Sequence, residues 1–171
     1  MKRIVPVILV TITLLVCAVS SLYAASVKSF SKFGVSFNYP DGSRVAEETS
    51  YGHYERIHCT SATGNFFSIT LYEDRTTASL LLEAYRAEFE QQFTAKGAKE
   101  IAFIDIEETI LSKRVKGFLM TFTLDHMTFE ALNFCFIHND RPVSVTKQYF
   151  TFNKKKSQKF FDCILSSLSV K

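Results

Sequence analysis

The sequence predicts an α+β domain: a mostly antiparallel sheet flanked by a central helix and a C-terminal helix. Apolar residues alternate with a period of two in several runs between Val27 and Phe152, which is the pattern of strands. Helical spacing occupies two separate stretches, Thr77 to Ala95 and the segment after Asn153. Strands, helix, strands, helix is a segregated order, unlike the strict alternation of a parallel α/β sheet.

The elements follow in order. Val27 to Phe30 and Val35 to Tyr39 read as short strands, and Pro40-Asp41-Gly42 then supplies the preset φ and the permissive position of a turn. Tyr54 to Thr60 and Phe66 to Glu73 read as a hairpin around Ser61 to Asn65. Leu82, Tyr85, Phe89 and Phe93 recur at three- and four-residue steps, so Thr77 to Ala95 is an amphipathic helix, with Gly97 as its left-handed cap. Alternation returns with Ala102, Ile104, Ile106 and Ile110 on one face of a strand, and with Phe118, Met120, Phe122 and Leu124 on one side of Gly117 to Leu124. Phe129 to Ile137 and Val143 to Phe152 are joined by a polar loop, His138 to Pro142. Asn153 is expected to cap a last helix whose apolar stripe is Phe160, Phe161, Ile164, Leu165 and Leu168. The strand at Phe129 is apolar on both sides, with Phe129, Ala131 and Cys135 against Leu132, Phe134 and Phe136. Such a sheet must be covered twice. Both helices are therefore expected on its faces, opposite faces being one way to arrange them.

The N-terminus has the three-part layout of a secretory signal peptide: Lys2 and Arg3, an uncharged run from Ile4 to Val19, then small residues around Ala24 and Ala25. Its apolar core contains Pro6, Thr11 and Thr13 and falls short of the roughly 20 residues of a membrane span. Cys17 follows Val16 rather than the small residue of a lipid-attachment site. The expectation is a signal peptide over residues 1–24, cleaved after Ala24, and a single α+β domain over 25–171, exported to the periplasm or the extracellular space with no membrane span after cleavage.

Charge and cysteines narrow the function. The chain has 20 Lys plus Arg and 17 Asp plus Glu; loss of Lys2 and Arg3 with the leader leaves 18 against 17, a net +1. A nucleic-acid binder would show a basic face, so no nucleic acid is expected as partner. Cys59, Cys135 and Cys163 form no disulfide framework, CxxC pair or zinc-type spacing, although any two could pair in an oxidising compartment.

Motifs that carry chemistry are sparse. Asp105 and Glu107, two apart on a strand, share a face and could hold a metal or divide acid and base roles, but a solvated strand face is the favoured reading. The four histidines, His53, His58, His126 and His138, do not converge by spacing. No GxSxG, SxxK, GxGxxG or P-loop occurs. The sequence therefore assigns no catalytic residue, no cofactor and no metal ligand. Lys154, Lys155 and Lys156 form a basic run at the start of the last helix, where solvation accounts for them. Ser50 to Arg56 combines aromatics and an arginine in an expected loop, and Tyr51, His53, Tyr54 and Arg56 are its candidate partner contacts, since Tyr and Arg are enriched at interface hot spots.

The run GVSFNYPDG, the later GFLMTFTL and PVSVTKQYF, and the closing FFDCILSSLSV together resemble the PsbP/Mog-like fold and its bacterial DcrB-like relatives. Phe37, Tyr39, Pro40 and Gly42 match the aromatic-x-Tyr-Pro strand and turn, and Phe161, Ile164 and Ser167 match the pattern of the last helix. The chain departs from it at Gly42-Ser43, where Gly-Trp is common. The resemblance implies an accessory or binding module acting on a protein or envelope component, and it supplies no catalytic residues. The expected function is an exported non-catalytic binding or accessory protein of the cell envelope. The alternatives are a small envelope hydrolase or metal-dependent enzyme assembled only in three dimensions, and a structural component of a surface assembly.

Overall fold

A computed structural model describes residues 26–50 and 52–171. The expected leader and Tyr51 lie outside the described residues. Among those described, the order is β1 (Val27–Lys32), β2 (Val35–Pro40), β3 (Arg44–Ser50), β4 (Tyr54–Thr60), β5 (Phe66–Tyr72), a central helix (Ala78–Ala95), β6 (Lys99–Ile110), β7 (Lys113–Leu124), β8 (Met127–His138), β9 (Arg141–Phe150), a 3-10 turn (Thr151–Asn153), a C-terminal helix (Lys154–Leu165) and β10 (Ser169–Val170).

The strands form a seven-stranded sheet, β3-β4-β5-β9-β8-β7-β6, and a three-stranded sheet, β1-β2-β10. Every pairing is antiparallel. The expected α+β architecture with its two flanking helices is what the chain adopts. Period two divides β8 between two cores. Ala131 and Cys135 face the central helix with Phe118, Met120 and Phe122 of β7, while Phe134 and Phe136 face a second core closed by Phe160, Phe161 and Ile164 of the C-terminal helix and by Val35 and Phe37 of the small sheet. The two helices thus cover opposite faces of the large sheet.

Four hairpins close through two-residue turns with both residues at positive φ: Phe33-Gly34, Leu111-Ser112, Asp125-His126 and Asn139-Asp140. That backbone matches the twist of the flanking strands. It also shortens the expected His138 to Pro142 loop, because His138 pairs with Arg141 and Ile137 with Pro142 inside the ladder. The central helix begins one residue later than expected, with Thr77 as its N-cap accepting a hydrogen bond from Leu80 N–H at 3.3 Å, and Gly97 (φ 84°) ends it.

Two strands carry no signal in the sequence, and two expectations, the Asn153 cap and the burial of Ile104, are corrected. β3 was not legible as a strand: RVAEETS is an exposed edge whose extended state comes from pairing with β4. β10 is too short to carry a period. Asn153 makes no side-chain cap; it closes the 3-10 turn, and its carbonyl accepts from Ser157 Oγ at 3.0 Å. Ile104 is 59% exposed although it shares a face with buried Ile110, because β6 is the far edge strand of the sheet.

Candidate functional site: a polar-floored cleft under the central helix

The sheet face beneath the central helix changes character along its width. Over β7 and β8 it is packed with phenylalanine and methionine. Toward β9, β5 and β4 it turns polar, in rows set by strand register. Arg56, Thr70 and Ser144 lie side by side across the three strands, and His58, Ser68 and Thr146 form the next row. Thr70, Ser144, Ser68 and Thr146 are all buried. Between these rows and Tyr85, Glu88, Phe89, Gln92 and Phe93 of the helix lies a cleft of about 220 Å³.

Hydrogen bonds fix the floor. Thr146 Oγ1 donates to Asn133 Oδ1 at 2.8 Å, and Asn133 is fully buried on β8. Tyr72, Tyr85 and Ser144 join their hydroxyls in a chain, with 2.8 Å between the last two. Burial, the neighbouring Tyr85 and its hydrogen bond push the Tyr72 phenol well above its usual range, so the Tyr72 hydroxyl keeps its proton. Polar groups at this depth are tolerated because they satisfy one another.

Arg56 is the charged member. Its Nε donates to Thr70 Oγ1 at 3.0 Å, its guanidinium carbon stands 4.6 Å from the Tyr54 ring centroid, and Glu48 Oε2 lies 3.4 Å from Nη1. Tyr54 OH donates to Glu48 Oε1 at 2.7 Å, and that bond, with Arg56 and His58, holds the Glu48 carboxyl below its usual value. The His58 ring tilts against Phe66 with centroids 5.3 Å apart, and burial pushes its pKa down. Its Nδ1 is buried with no partner among the described residues.

The candidate contacts from the sequence separate here. Tyr54 and Arg56 lie on β4 rather than in a loop, because the β3–β4 ladder extends as far as the Ser50–Tyr54 pair. Their spacing of two puts both on one face of the sheet, where they touch, Arg56 lining the cleft and Tyr54 standing beside it. His53 stays in the turn, exposed, with Nδ1 3.4 Å from Asp74 Oδ2. Asp105 and Glu107 do not act together, since each pairs with its own arginine, Arg86 and Arg114. No cluster of three or more His, Cys, Asp and Glu side chains suited to a metal forms among the described residues, and Cys59, Cys135 and Cys163 are all free thiols. Lys154 of the basic run pairs with Glu130 at 2.9 Å.

Sequence reasoning missed the polar rows. Their only signal is the alternation Ser68/Thr70 and Ser144/Thr146 between apolar neighbours, which reads as a solvated strand face.

Comparison with solved structures finds this architecture in cyanobacterial PsbP (CyanoP) from Synechocystis sp. PCC 6803, with a TM-score of 0.58 and 14% identity, over 86% of this chain and 94% of that one. The chain has the PsbP-like fold. LpqN of Mycobacterium tuberculosis, described as involved in cell envelope biogenesis, aligns with a TM-score of 0.49 and 8% identity, over 86% of this chain and 92% of LpqN. No protein-family model matches the chain, and no curated protein sequence does. In this PsbP-like chain the residues behind the resemblance are scaffold. Phe37 is 2% exposed and stacks on Phe30 at 5.3 Å, Gly42 turns at φ 80°, and Ser167 Oγ accepts from Asn38 N–H at 2.8 Å, tying the end of the chain to β2.

Proposed function

We propose that this PsbP-like chain is an exported, non-catalytic accessory protein of the cell envelope that engages its partner through the Tyr54–Arg56 face of the cleft. The observation that carries the reading is the pre-set guanidinium. Arg56 is held by Thr70 on one side and by the Tyr54 ring on the other, yet it lines an open cleft. Tyr and Arg in fixed rotamers lose little entropy on binding, which is what makes them frequent hot spots. The buried thiols support a binding role: burial pushes Cys59 and Cys135 up to about 12, so both keep their protons at neutral pH and are poor nucleophiles. Export rests on the leader layout of residues 1–24. No helix among the described residues is long and apolar enough to cross a membrane.

A photo-crosslinking residue placed at Tyr54, with a second at Lys155 on the opposite side of the sheet as control, tests the reading in the native host. The expected result is a discrete light-dependent adduct from position 54 in the envelope fraction, carried by a chain whose intact mass begins at Ala25. Equal adducts from position 155, or a chain retaining residues 1–24 in the cytoplasm, would overturn it.

A further inference from the structure

The geometry points to a ligand site in this cleft for a small carboxylate carrying an apolar body about the size of one aromatic ring. The inference rests on the reading of this face as a recognition surface, and it names the chemistry recognised. Two strands away the same face packs Phe118, Met120 and Phe122 against the helix. Here the chain places hydroxyls, an amide and a guanidinium under the helix instead, and each must be desolvated.

Arg56 sets the polar end. Its Nε is taken by Thr70 and Nη1 pairs with Glu48 at 3.4 Å, while Nη2 has no partner among the described residues, so the fork keeps free N–H donors beside the cleft. A guanidinium with free N–H donors is a fixed positive charge that pairs with a carboxylate. Ser68 and Gln148 line the same space and can add a hydroxyl and an amide donor. The other end is apolar, walled by Phe66, Phe89 and Phe93, with Phe89 and Phe93 neighbours along the helix at 5.8 Å.

Size and charge limit the occupant. A cleft of about 220 Å³ is smaller than the roughly 300–1,000 Å³ that suits drug-sized ligands, so it takes a ring and a short acid arm. Glu88 on the helix wall and Glu48 beside Arg56 repel a second anionic group, which selects a monocarboxylate over a dicarboxylate. Two sources share this chemistry, a free arylalkanoic acid and the C-terminal carboxylate of a peptide ending in an apolar residue.

Titration calorimetry of the full-length chain with four probes separates the outcomes: 3-phenylpropionate, its amide 3-phenylpropanamide, the diacid phenylsuccinate, and N-acetylphenylalanine as the mimic of a peptide terminus. The expected result is saturable binding of at least one monoacid, a loss of at least tenfold for the amide and for the diacid, and a shift of the Arg56 Nε–H resonance on binding. Tighter binding of N-acetylphenylalanine assigns the site to a peptide terminus, and tighter binding of 3-phenylpropionate assigns it to a free acid. Arg56→Gln should lower affinity at least tenfold; because that change also removes a bond to Thr70, the Arg56 resonance in the unaltered chain stands as the independent readout. The inference is overturned if neither monoacid binds at millimolar concentration, if acid and amide bind alike, or if the Arg56 resonance does not move. Crosslinking from position 54 that persists alongside such a failure removes the carboxylate site and leaves the partner-binding reading standing.

Discussion

Lys147 Nζ stands 2.6 Å from both carboxylate oxygens of Glu108, three strands away across the seven-stranded sheet, and the lysine is only 4% exposed. The side chain crosses the Phe134 ring to get there, at 5.4 Å from its centroid. A lysine at that depth relies on the Glu108 carboxylate as its hydrogen-bonded counter-charge. Glu108→Gln should therefore destabilise the chain by about 3 kcal/mol, because an unpaired buried ammonium remains. Lys147→Met should cost less, since it removes the buried charge at similar volume and leaves Glu108 partly solvated. Urea unfolding of both variants gives the order, and a larger loss for Lys147→Met would reject the account.

The pairing of β7 with β8 depends on Gly117, which lies opposite Phe134. A Cβ there would sit 2.3 Å from the Asn133 carbonyl oxygen and 2.5 Å from the Phe134 ring, in a fully buried part of β8 that has no room to shift. Gly117→Ala should lower stability by about 1–3 kcal/mol or more through overpacking, against the usual direction of a Gly-to-Ala change in a strand. Thermal melting checks it, and an unchanged or raised Tm would show that β8 yields.

Phe37 and Tyr54 should separate stability from recognition. Phe37 is buried against Phe30 and Phe67, so Phe37→Ala should lose about 3–5 kcal/mol. Tyr54 is half-buried on the same sheet face as Arg56, and Tyr54→Ala should shift the melt little while weakening capture of the partner from envelope extract. Unfolding of the domain by Tyr54→Ala would make that residue scaffold and remove it from the contact face.

His58 should make the chain sensitive to mild acid. Burial lowers its pKa in the folded state, while the nearby Glu48 raises it and Arg56 lowers it. The unfolded chain therefore takes up the proton first, and the stability contributed by a neutral His58 is present above about pH 6.5 and lost as pH falls below it. Glu48, held below its usual value, keeps its own contribution until the pH falls to the carboxylate range near about 4, so the loss through His58 begins at higher pH. Melting at pH 7.5, 6.5 and 5.5 should show a decline that His58→Gln flattens; equal declines in both proteins would place the acid sensitivity elsewhere.

By itself the sequence determined the parts whose signal is local. Alternation over Phe118 to Leu124 and Phe129 to Phe136, helical spacing from Leu82 to Phe93, and the Pro40-Asp41-Gly42 turn depend on neighbours within a few residues, and each stands where it was expected. β3 was illegible because nothing on either face of RVAEETS is buried, and its extended state exists only through pairing with β4. The cleft was illegible for a related reason. Ser68, Thr70, Ser144 and Thr146 alternate with Phe67, Ile69, Leu71, Val143 and Val145, a pattern that a strand half in water and a strand under a polar-floored cleft share equally. Only the packing of the central helix over one end of that face decides between them, because burial is set by what lies above a side chain in space and not by what lies beside it in the chain.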